Sequence, residues 1–213
     1  MHDPVRVGVL ISGRGTNMQA LAEHRRRDPA RAYTIAMVGS NVPEARGLVV
    51  ARRLGIKTWS HSHKGLERAE FDRLIEQALV AHRVELVALA GYMRLLSSEF
   101  VERWRGRMLN IHPSLLPLHK GTDTHRRALL AGDLVSGCTV HVVTPELDDG
   151  PTVAQAEVRI QARDTAETLE QRILAEEHKL YPAALEAYSL ALREGLFDVA
   201  PLPIGSSRAP DAG

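Results

Sequence analysis

The sequence is poor in cysteine and in aromatic residues, and it has no marked excess of charge of either sign. Cys138 is the one cysteine among 213 residues, so neither an internal disulfide nor a cysteine-rich zinc site can form, which fits a reducing compartment. Aromatic residues make up 4% of the chain, so aliphatic side chains must build the core. The formal net charge is +1, and no global field would draw the protein to nucleic acid or to an anionic membrane.

Long hydrophobic runs are also missing. The chain starts without the apolar stretch of a signal peptide, and no run reaches the length that spans a membrane. We therefore expect a cytoplasmic protein with neither a membrane nor a nucleic acid as its partner. The length of 213 residues suits a single domain, which we place at residues 1–199. Residues 200–213 contain several prolines and few large side chains, so we expect them to form a flexible tail.

Strand and helix patterns alternate along most of the chain. Short runs rich in branched aliphatic residues predict buried strands at 5–11, 34–38, 56–59, 84–90 and 107–111. Apolar residues at helical spacing predict helices between them, including 44–54 and 67–82. This alternation predicts an α/β fold, with a mostly parallel sheet and helices on both of its faces.

The pattern changes toward the C-terminus, where the sequence predicts an antiparallel pair of strands at 138–143 and 152–160. Asp164, followed by Glu167, predicts a capping box that opens a helix extending to about residue 180. Pro182 predicts the start of a further helix, because proline is favoured at the first helical position.

Gly13 and Gly15 lie in a loop between the first strand and a helix. Glycines allow a tight turn, and the free N–H groups of the following helix can bind phosphate. Met18 stands where a dinucleotide-binding fingerprint has its third glycine, and no G-K-[ST] motif follows. The loop therefore suits a simple phosphate monoester. A purely structural turn explains these residues equally well.

Asn110 and His112 lie two residues apart at the predicted end of a parallel strand, so they share one face while Ile111 points the other way. Ligands bind at this edge of open α/β sheets. An amide beside an imidazole can hold a carbonyl oxygen that becomes negative, although a single buried histidine is often only a core residue. Asp148 would raise the pKa of His112 if its loop faced the imidazole. Otherwise the acidic loop is an ordinary turn before Gly150.

Four segments occur in a fixed order: SGRGTN at 12–17, AGYMRLL at 90–96, NIHPSLLP at 110–117 and LDDGP at 147–151. Together they resemble the glycinamide ribonucleotide formyltransferase family, over about residues 5 to 195. The resemblance implies a Rossmann-like fold. It also implies transfer of the formyl group of 10-formyltetrahydrofolate to the amine of glycinamide ribonucleotide, in purine synthesis and without a metal. A homodimer is one expected assembly.

The same resemblance implies roles for individual residues. It implies a catalytic trio of Asn110, His112 and Asp148, and ribonucleotide binding by Gly15, Thr16, Asn17 and Glu177. The implied folate-binding residues are Arg68, Met93, Arg94, Leu95, Leu96, Asn110, Thr144, Pro145, Glu146, Leu147 and Asp148. The sequence departs from the family pattern in the loop 118–125, so the resemblance assigns no particular substrate contacts to that loop. It also departs at Leu174, where a polar residue would be expected, so that the contact there is either made by the backbone or lost.

Three other functions remain open at this point. A formyltetrahydrofolate hydrolase would use the same asparagine and histidine with water as the acceptor, and that family carries an N-terminal regulatory domain. A methionyl-tRNA formyltransferase shares the fold and adds a C-terminal nucleic-acid-binding domain. We expect neither, because the first strand begins at Val5 and the chain stops soon after residue 195. A non-catalytic phosphate-ligand binding protein would need the glycine loop but not the catalytic trio.

Overall fold

The structure is a computed structural model that describes residues 3–28 and 30–197. Its strands are β1 (Val5–Ile11), β2 (Tyr33–Ser40), β3 (Thr58–Ser60), β4 (Leu86–Leu89), β5 (Met108–His112), β6 (Val135–Val142) and β7 (Thr152–Arg159). Its helices are α1 (Thr16–Arg27), α2 (Arg46–Arg53), α3 (Arg68–Ala81), α4 (Ser98–Arg103), α5 (Thr124–Ala131) and α6 (Ala166–Arg193).

All of these strands join one sheet, in the order β3-β2-β1-β4-β5-β6-β7. Strands β1 to β5 are parallel to one another. Strand β6 runs antiparallel to β5, and β7 antiparallel to β6. The predicted fold class is therefore confirmed, including the antiparallel pair at the C-terminal side of the sheet.

The central strands are buried on both faces, which explains why they read as continuous apolar runs. In β1, Val7 and Val9 belong to the core that α1, α2 and α6 cover, whereas Leu10 belongs to the core under α3 and α4. The same alternation in β5 places Leu109 and Ile111 on the α6 side. Asn110 and His112 therefore share the opposite side, as their spacing predicts.

Helix α6 differs from the prediction because it runs without a break from Ala166 to Arg193, with Pro182 inside it. A proline in a helix removes one backbone N–H donor and disfavours the turn before it. Here Tyr181, Leu185 and Tyr188 around that position are all buried against the sheet. Packing of this long apolar face therefore outweighs the local break that the sequence predicts.

The predicted cap of this helix is also wrong. The N-cap is Thr165, whose side chain accepts from the backbone N–H of Thr168, while the Thr168 hydroxyl accepts from the N–H of Thr165. The carboxylate of Asp164 instead accepts from the backbone N–H of Gln161 at 2.8 Å. A threonine pair thus closes the capping box one residue later than the predicted Asp164 and Glu167.

Helix α5 is a further element that the sequence did not predict. It buries only Thr124 and Ala128, so it carries no apolar stripe long enough to be read from the sequence. Strand β6 also begins earlier than predicted, at Val135. The predicted domain boundary at residue 199 and the predicted tail at 200–213 lie outside the described residues. Within the described part of the chain, no helix combines the length and the apolar character that crossing a membrane requires.

Candidate active site

A cavity of about 780 Å³ opens where β4 and β5 end. Its wall brings together residues from every predicted site segment, although Gly15 and Thr16 themselves are not part of it. The predicted residues that line it are Asn17, Arg68, Met93, Arg94, Leu95, Leu96, Asn110, His112, Thr144, Pro145, Glu146, Leu147, Asp148 and Glu177. Residues separated by most of the chain thus surround one space of the size that a drug-sized ligand fills.

His112 lies at the end of β5 with both of its ring nitrogens facing hydrogen-bond acceptors. Its Nε2 is 3.1 Å from the backbone oxygen of His119, and its Nδ1 is 3.4 Å from Oδ2 of Asp148. A neutral imidazole has only one N–H, whereas the imidazolium has two. Only the charged ring can therefore donate to both partners at once.

Burial, rather than Asp148, decides the direction in which the pKa of His112 departs from its ordinary value. Burial lowers the pKa of His112 below its ordinary value, and this effect outweighs the opposing effects of the His119 carbonyl and of Asp148. The carboxylate acts in the predicted direction but does not decide the outcome. In the free protein the imidazole is therefore easier to deprotonate than an exposed histidine.

Asp148 is held by the turn that follows β6. Its backbone has a φ of 49°, in the left-handed region that aspartate tolerates better than most residues. Its Oδ2 accepts from the backbone N–H of Gly121 at 2.8 Å, and its Oδ1 lies 3.6 Å from Nε2 of His141. Burial alone would raise the pKa of Asp148, but the nearby His141 imidazole, the hydrogen bond from Gly121 and the His112 imidazole lower it below its ordinary value. The carboxylate is therefore ionised at neutral pH.

His141 is a site residue that the sequence analysis missed. It lies opposite Asn110 in the β5–β6 pairing, and Nδ2 of Asn110 is 3.1 Å from its Nε2. Thr139, two residues before it, donates to the backbone oxygen of Ser114 at 2.7 Å and accepts from the N–H of Leu116 at 3.0 Å. β6 thus contributes one side chain that contacts Asn110 and Asp148, and another that fixes the loop after β5.

The glycine loop, residues 12–17, leads from β1 into α1. Gly15 has a φ of 73°, and a Cβ atom built there would lie 2.8 Å from the backbone Cα of Gly47. Both the conformation and the close approach of α2 therefore require glycine. Helix α1 begins at Thr16 without a side-chain cap and without an acidic residue in its first turn. Its first N–H groups are left for a ligand or solvent.

Asn17 connects this loop to α6. Its Nδ2 donates to Oε2 of Glu177 at 2.7 Å in a buried contact. Burial raises the pKa of Glu177 above its ordinary value, the bond from Asn17 opposes the rise, and Glu170 adds to it. The Oδ1 atom of Asn17 has no hydrogen-bond partner among the described residues. Asn17, which lines the cavity at the predicted ribonucleotide end, thus carries an unsatisfied buried acceptor.

Ser12 bridges the glycine loop and the predicted folate segment. Its hydroxyl donates to Oδ1 of Asn41 at 2.6 Å and accepts from the backbone N–H of Met93 at 2.8 Å. The backbone N–H of Ser12 also donates to the oxygen of Gly91 at 3.0 Å. No local pattern predicts this bridge, because it depends on the adjacency of β1 and β4 in the sheet.

Three of the predicted folate-binding residues are apolar side chains exposed to solvent, and they form an apolar wall of the cavity. Met93 is 73% exposed, Leu95 56% and Leu147 55%, and together they leave apolar surface around the cavity that a flat ring system could cover. The guanidinium of Arg94 lies 5.1 Å from the centroid of the Phe71 ring and donates to the oxygen of Leu66 at 3.2 Å. The guanidinium of Arg94 therefore makes these contacts within the protein.

The divergent loop 118–125 forms part of the cavity, since Gly121 to His125 line it. Lys120 forms an ion pair with Asp149, and Arg127 donates to the backbone oxygen of Lys120 at 2.5 Å. Leu174 also lines the cavity, between Glu170 and Glu177 on α6. The sequence's departures from the family pattern thus fall on the cavity wall itself.

The arrangement suits chemistry at a carbonyl carbon, with an amide and an imidazole at a strand end and a carboxylate behind them. Residues 5–185 match a family model described as formyl transferase. The chain belongs to the formyl transferase family. The match covers β1 to β7 and most of α6, so it includes every predicted site segment.

Two kinds of relative are similar in sequence to this chain. The phosphoribosylglycinamide formyltransferase of Escherichia coli is 39% identical over 186 residues, which cover 87% of each chain. The trifunctional purine biosynthetic protein adenosine-3 of Homo sapiens is 46% identical over 182 residues, which are 85% of this chain but 18% of that protein. The chain thus spans under a fifth of the length of the animal relatives that it matches.

Solved structures agree with these sequence matches. Glycinamide ribonucleotide transformylase 1 from Symbiobacterium toebii superposes with a TM-score of 0.85 at 41% identity, covering 94% of this chain and 95% of that one. The phosphoribosylglycinamide formyltransferase of Brucella melitensis gives 0.83 at 45% identity, with 88% and 96% covered. The likeness extends over whole chains of these proteins.

Proposed function

We propose that the chain transfers the formyl group of 10-formyltetrahydrofolate to the amine of glycinamide ribonucleotide, a step of purine synthesis. The observation that carries this proposal is the convergence of Asn110, His112 and Asp148 in one cavity, between the glycine loop and the uncovered apolar wall. The names of the Escherichia coli and Symbiobacterium toebii relatives supply the substrate class. The cytoplasmic location and the homodimer remain predictions from sequence.

The two ends of the cavity suit the two substrates. The uncapped start of α1 suits the phosphate of the ribonucleotide, and the free Oδ1 of Asn17 suits one of its hydroxyl or amine donors. At the other end, the exposed side chains of Met93, Leu95 and Leu147 suit the flat ring of the folate. Arg68 lines the cavity as an exposed cation, and it suits a carboxylate of the same substrate.

The proposed reaction begins when the amine nitrogen attacks the formyl carbon and the carbonyl electrons move onto the oxygen. Asn110 and His112 then stabilise the negative oxygen by hydrogen bonding. Because Nε2 of His112 contacts the His119 carbonyl in the free protein, this nitrogen must exchange that acceptor for the oxyanion. Asp148 keeps the Nδ1 side of the ring in place and favours its charged form.

The reaction is completed when the bond between the formyl carbon and the folate nitrogen breaks. The attacking amine loses one proton and the leaving folate nitrogen gains one, so the charges balance. The cavity wall holds both substrates in contact, which supplies the entropic part of the acceleration.

The first prediction concerns the acceptor. We expect consumption of 10-formyltetrahydrofolate only when glycinamide ribonucleotide is present, because the amine is the nucleophile in the proposed reaction. The measurement follows the absorbance of the folate product with and without the ribonucleotide. Equal consumption in both reactions would show a formyltetrahydrofolate hydrolase. Binding of the ribonucleotide without any formyl transfer would show a non-catalytic phosphate-ligand binding protein.

A further inference from the structure

Two side-chain bridges connect the glycine loop with α6. The inner bridge is the buried bond from Asn17 to Glu177, at 2.7 Å. The outer bridge is an ion pair between Arg14 and Glu170, with 3.4 Å between Nη2 and Oε1. Glu170, Leu174 and Glu177 follow one another at helical spacing and all line the cavity. The start of α1 therefore faces a stripe of α6 that carries two carboxylates.

The inner bridge marks this region as a ligand site independently of the helix end. Asn17 is 8% exposed, lines the cavity, and leaves its Oδ1 without a hydrogen-bond partner among the described residues. An unpaired buried acceptor costs free energy that a donor on a ligand would recover. A phosphorylated sugar offers both required groups, since its phosphate can take the N–H groups of α1 and its hydroxyls can donate to Asn17.

The charges around this region are unfavourable for a phosphate unless a cation takes part. Glu170 lines the cavity from α6, and its carboxylate would repel an incoming phosphate dianion. Arg14 is the cation of the glycine loop, two residues before α1 begins. In the described structure its guanidinium faces Glu170, so this charge is already engaged.

The outer ion pair is well suited to exchange. Its side chains are 68% and 50% exposed, and exposed pairs of this kind contribute little to stability. A guanidinium binds phosphate through two parallel hydrogen bonds, which makes phosphate a stronger partner than a single carboxylate oxygen at 3.4 Å. Arg14 can therefore leave Glu170 for a phosphate at small cost.

We propose that Arg14 binds the phosphate of the acceptor substrate and sets the preference for a phosphorylated acceptor, while Glu170 competes for the same guanidinium in the free protein. The inference rests on the proposed function and adds to it a residue that distinguishes the ribonucleotide from its phosphate-free riboside. Substrate binding then replaces the pair of Arg14 and Glu170 by a pair of Arg14 and phosphate. Glu170 loses its partner in that exchange and remains exposed to solvent.

The test compares Arg14→Met and Glu170→Gln with two acceptors, glycinamide ribonucleotide and its phosphate-free riboside, by calorimetry and by steady-state transfer. Loss of a charge-assisted bond to phosphate should raise the Kd of the ribonucleotide about tenfold or more in Arg14→Met. Loss of an exposed competitor should lower that Kd roughly two- to fivefold in Glu170→Gln. Neither variant should change the Kd of the riboside or the KM of the formyl donor.

The control is Arg26→Met, which removes the same charge from an exposed position at the far end of α1. It should leave the affinity for the ribonucleotide unchanged, so a general effect of net charge can be separated from a contact. Glu170→Gln should raise the affinity for the ribonucleotide less in the Arg14→Met background than in the unaltered protein, because without the guanidinium only the direct repulsion between Glu170 and the phosphate is left to remove.

Three results would overturn the inference while the proposed function stands. These are an unchanged ribonucleotide affinity in Arg14→Met, an equal loss with both acceptors, and weaker ribonucleotide binding in Glu170→Gln. Absence of formyl transfer by the unaltered protein is distinguishable from all three, and it would overturn the proposed function together with this inference.

Discussion

Two opposing effects act on the pKa of the His112 imidazole. Burial favours the neutral ring, whereas the oxygen atoms of Asp148 and of the His119 carbonyl favour the charged ring. A group in this position can change its charge when a ligand alters its surroundings. An oxyanion that forms beside the ring would act in the same direction as Asp148 and would stabilise the imidazolium when it is needed.

The prediction that follows concerns Asp148→Asn. The variant loses the charge that raises the pKa of His112, so the His112 titration should move to lower pH, and turnover should fall by about 10²-fold or more, as when an oxyanion donor is lost. NMR of the histidine ring and steady-state kinetics measure the two effects. Asp149→Asn is the matched control, because Asp149 is the next residue and pairs with Lys120 instead. If the His112 titration did not move, Asp148 would have no effect on the imidazole and would only shape its turn.

Opposing effects also act on the pKa of Glu177, at the predicted ribonucleotide end of the cavity: burial raises it and the hydrogen bond from Asn17 lowers it. Its pKa in the folded protein lies above the ordinary value of 4.5, so the fold favours its neutral form. The unfolded chain therefore releases this proton at a lower pH than the folded protein does. The Glu177 contribution to the free energy of unfolding falls as the pH rises from 4.5 through the raised pKa, and it is constant above that range.

Glu177→Gln should remove this part of the pH dependence. Glutamine keeps an oxygen that can accept from Asn17 and carries no charge at any pH. We expect the variant to gain thermal stability relative to the unaltered protein as the pH is raised from 4.5 to 8, with the smallest difference at the acidic end. Thermal unfolding across that range tests this.

At the scale of elements, the sequence predicted the strands better than the helix ends. The central strands β1, β4 and β5 are buried on both faces, and their apolar runs are therefore continuous and easy to read. The predicted helix break at Pro182 was wrong because a buried helix face extends on both sides of the proline. Helix α5 was missed because it buries only two residues. In each case tertiary packing, which the local sequence does not contain, decided the outcome.

Helix α6 also ties together the two strands that end at the cavity. The hydroxyl of Tyr181, fully buried, donates to the backbone oxygens of Leu89 at 3.0 Å and Leu109 at 3.2 Å. Leu89 is the last residue of β4, and Leu109 is the second residue of β5. Tyr181 therefore links the helix that carries Glu177 to the strand that carries Asn110 and His112.

Tyr181→Phe should lower the free energy of unfolding by about 1–2 kcal/mol, because the buried oxygens lose a hydrogen bond that water cannot replace. Tyr92→Phe is a suitable control, since the buried hydroxyl of Tyr92 has no partner among the described residues. Urea unfolding of both variants measures the difference. Equal stability of the two variants would contradict the proposed importance of the Tyr181 bonds.

At the scale of the whole molecule, the site could be predicted only as far as local patterns extend. The period of a strand was enough to place Asn110 and His112 on one face. His141 and Thr139 were missed because their relation to β5 depends on the antiparallel register. A signal existed in β6, where these two polar residues alternate with the apolar Cys138, Val140 and Val142. That alternation shows that one face of the strand is polar, but not what it faces.

The contact between Asn17 and Glu177, which joins residues 160 positions apart, has a consequence for the synthesis of the protein. A ribosome delivers the chain from the N-terminus, so β1 to β5 are available before α6 exists. Asn110 and His141 are only 31 positions apart, and the catalytic cluster needs no residue beyond Asp148. The nascent chain therefore contains the glycine loop and the catalytic cluster before it contains Glu177, and the acceptor end of the cavity is completed only when α6 has been synthesised.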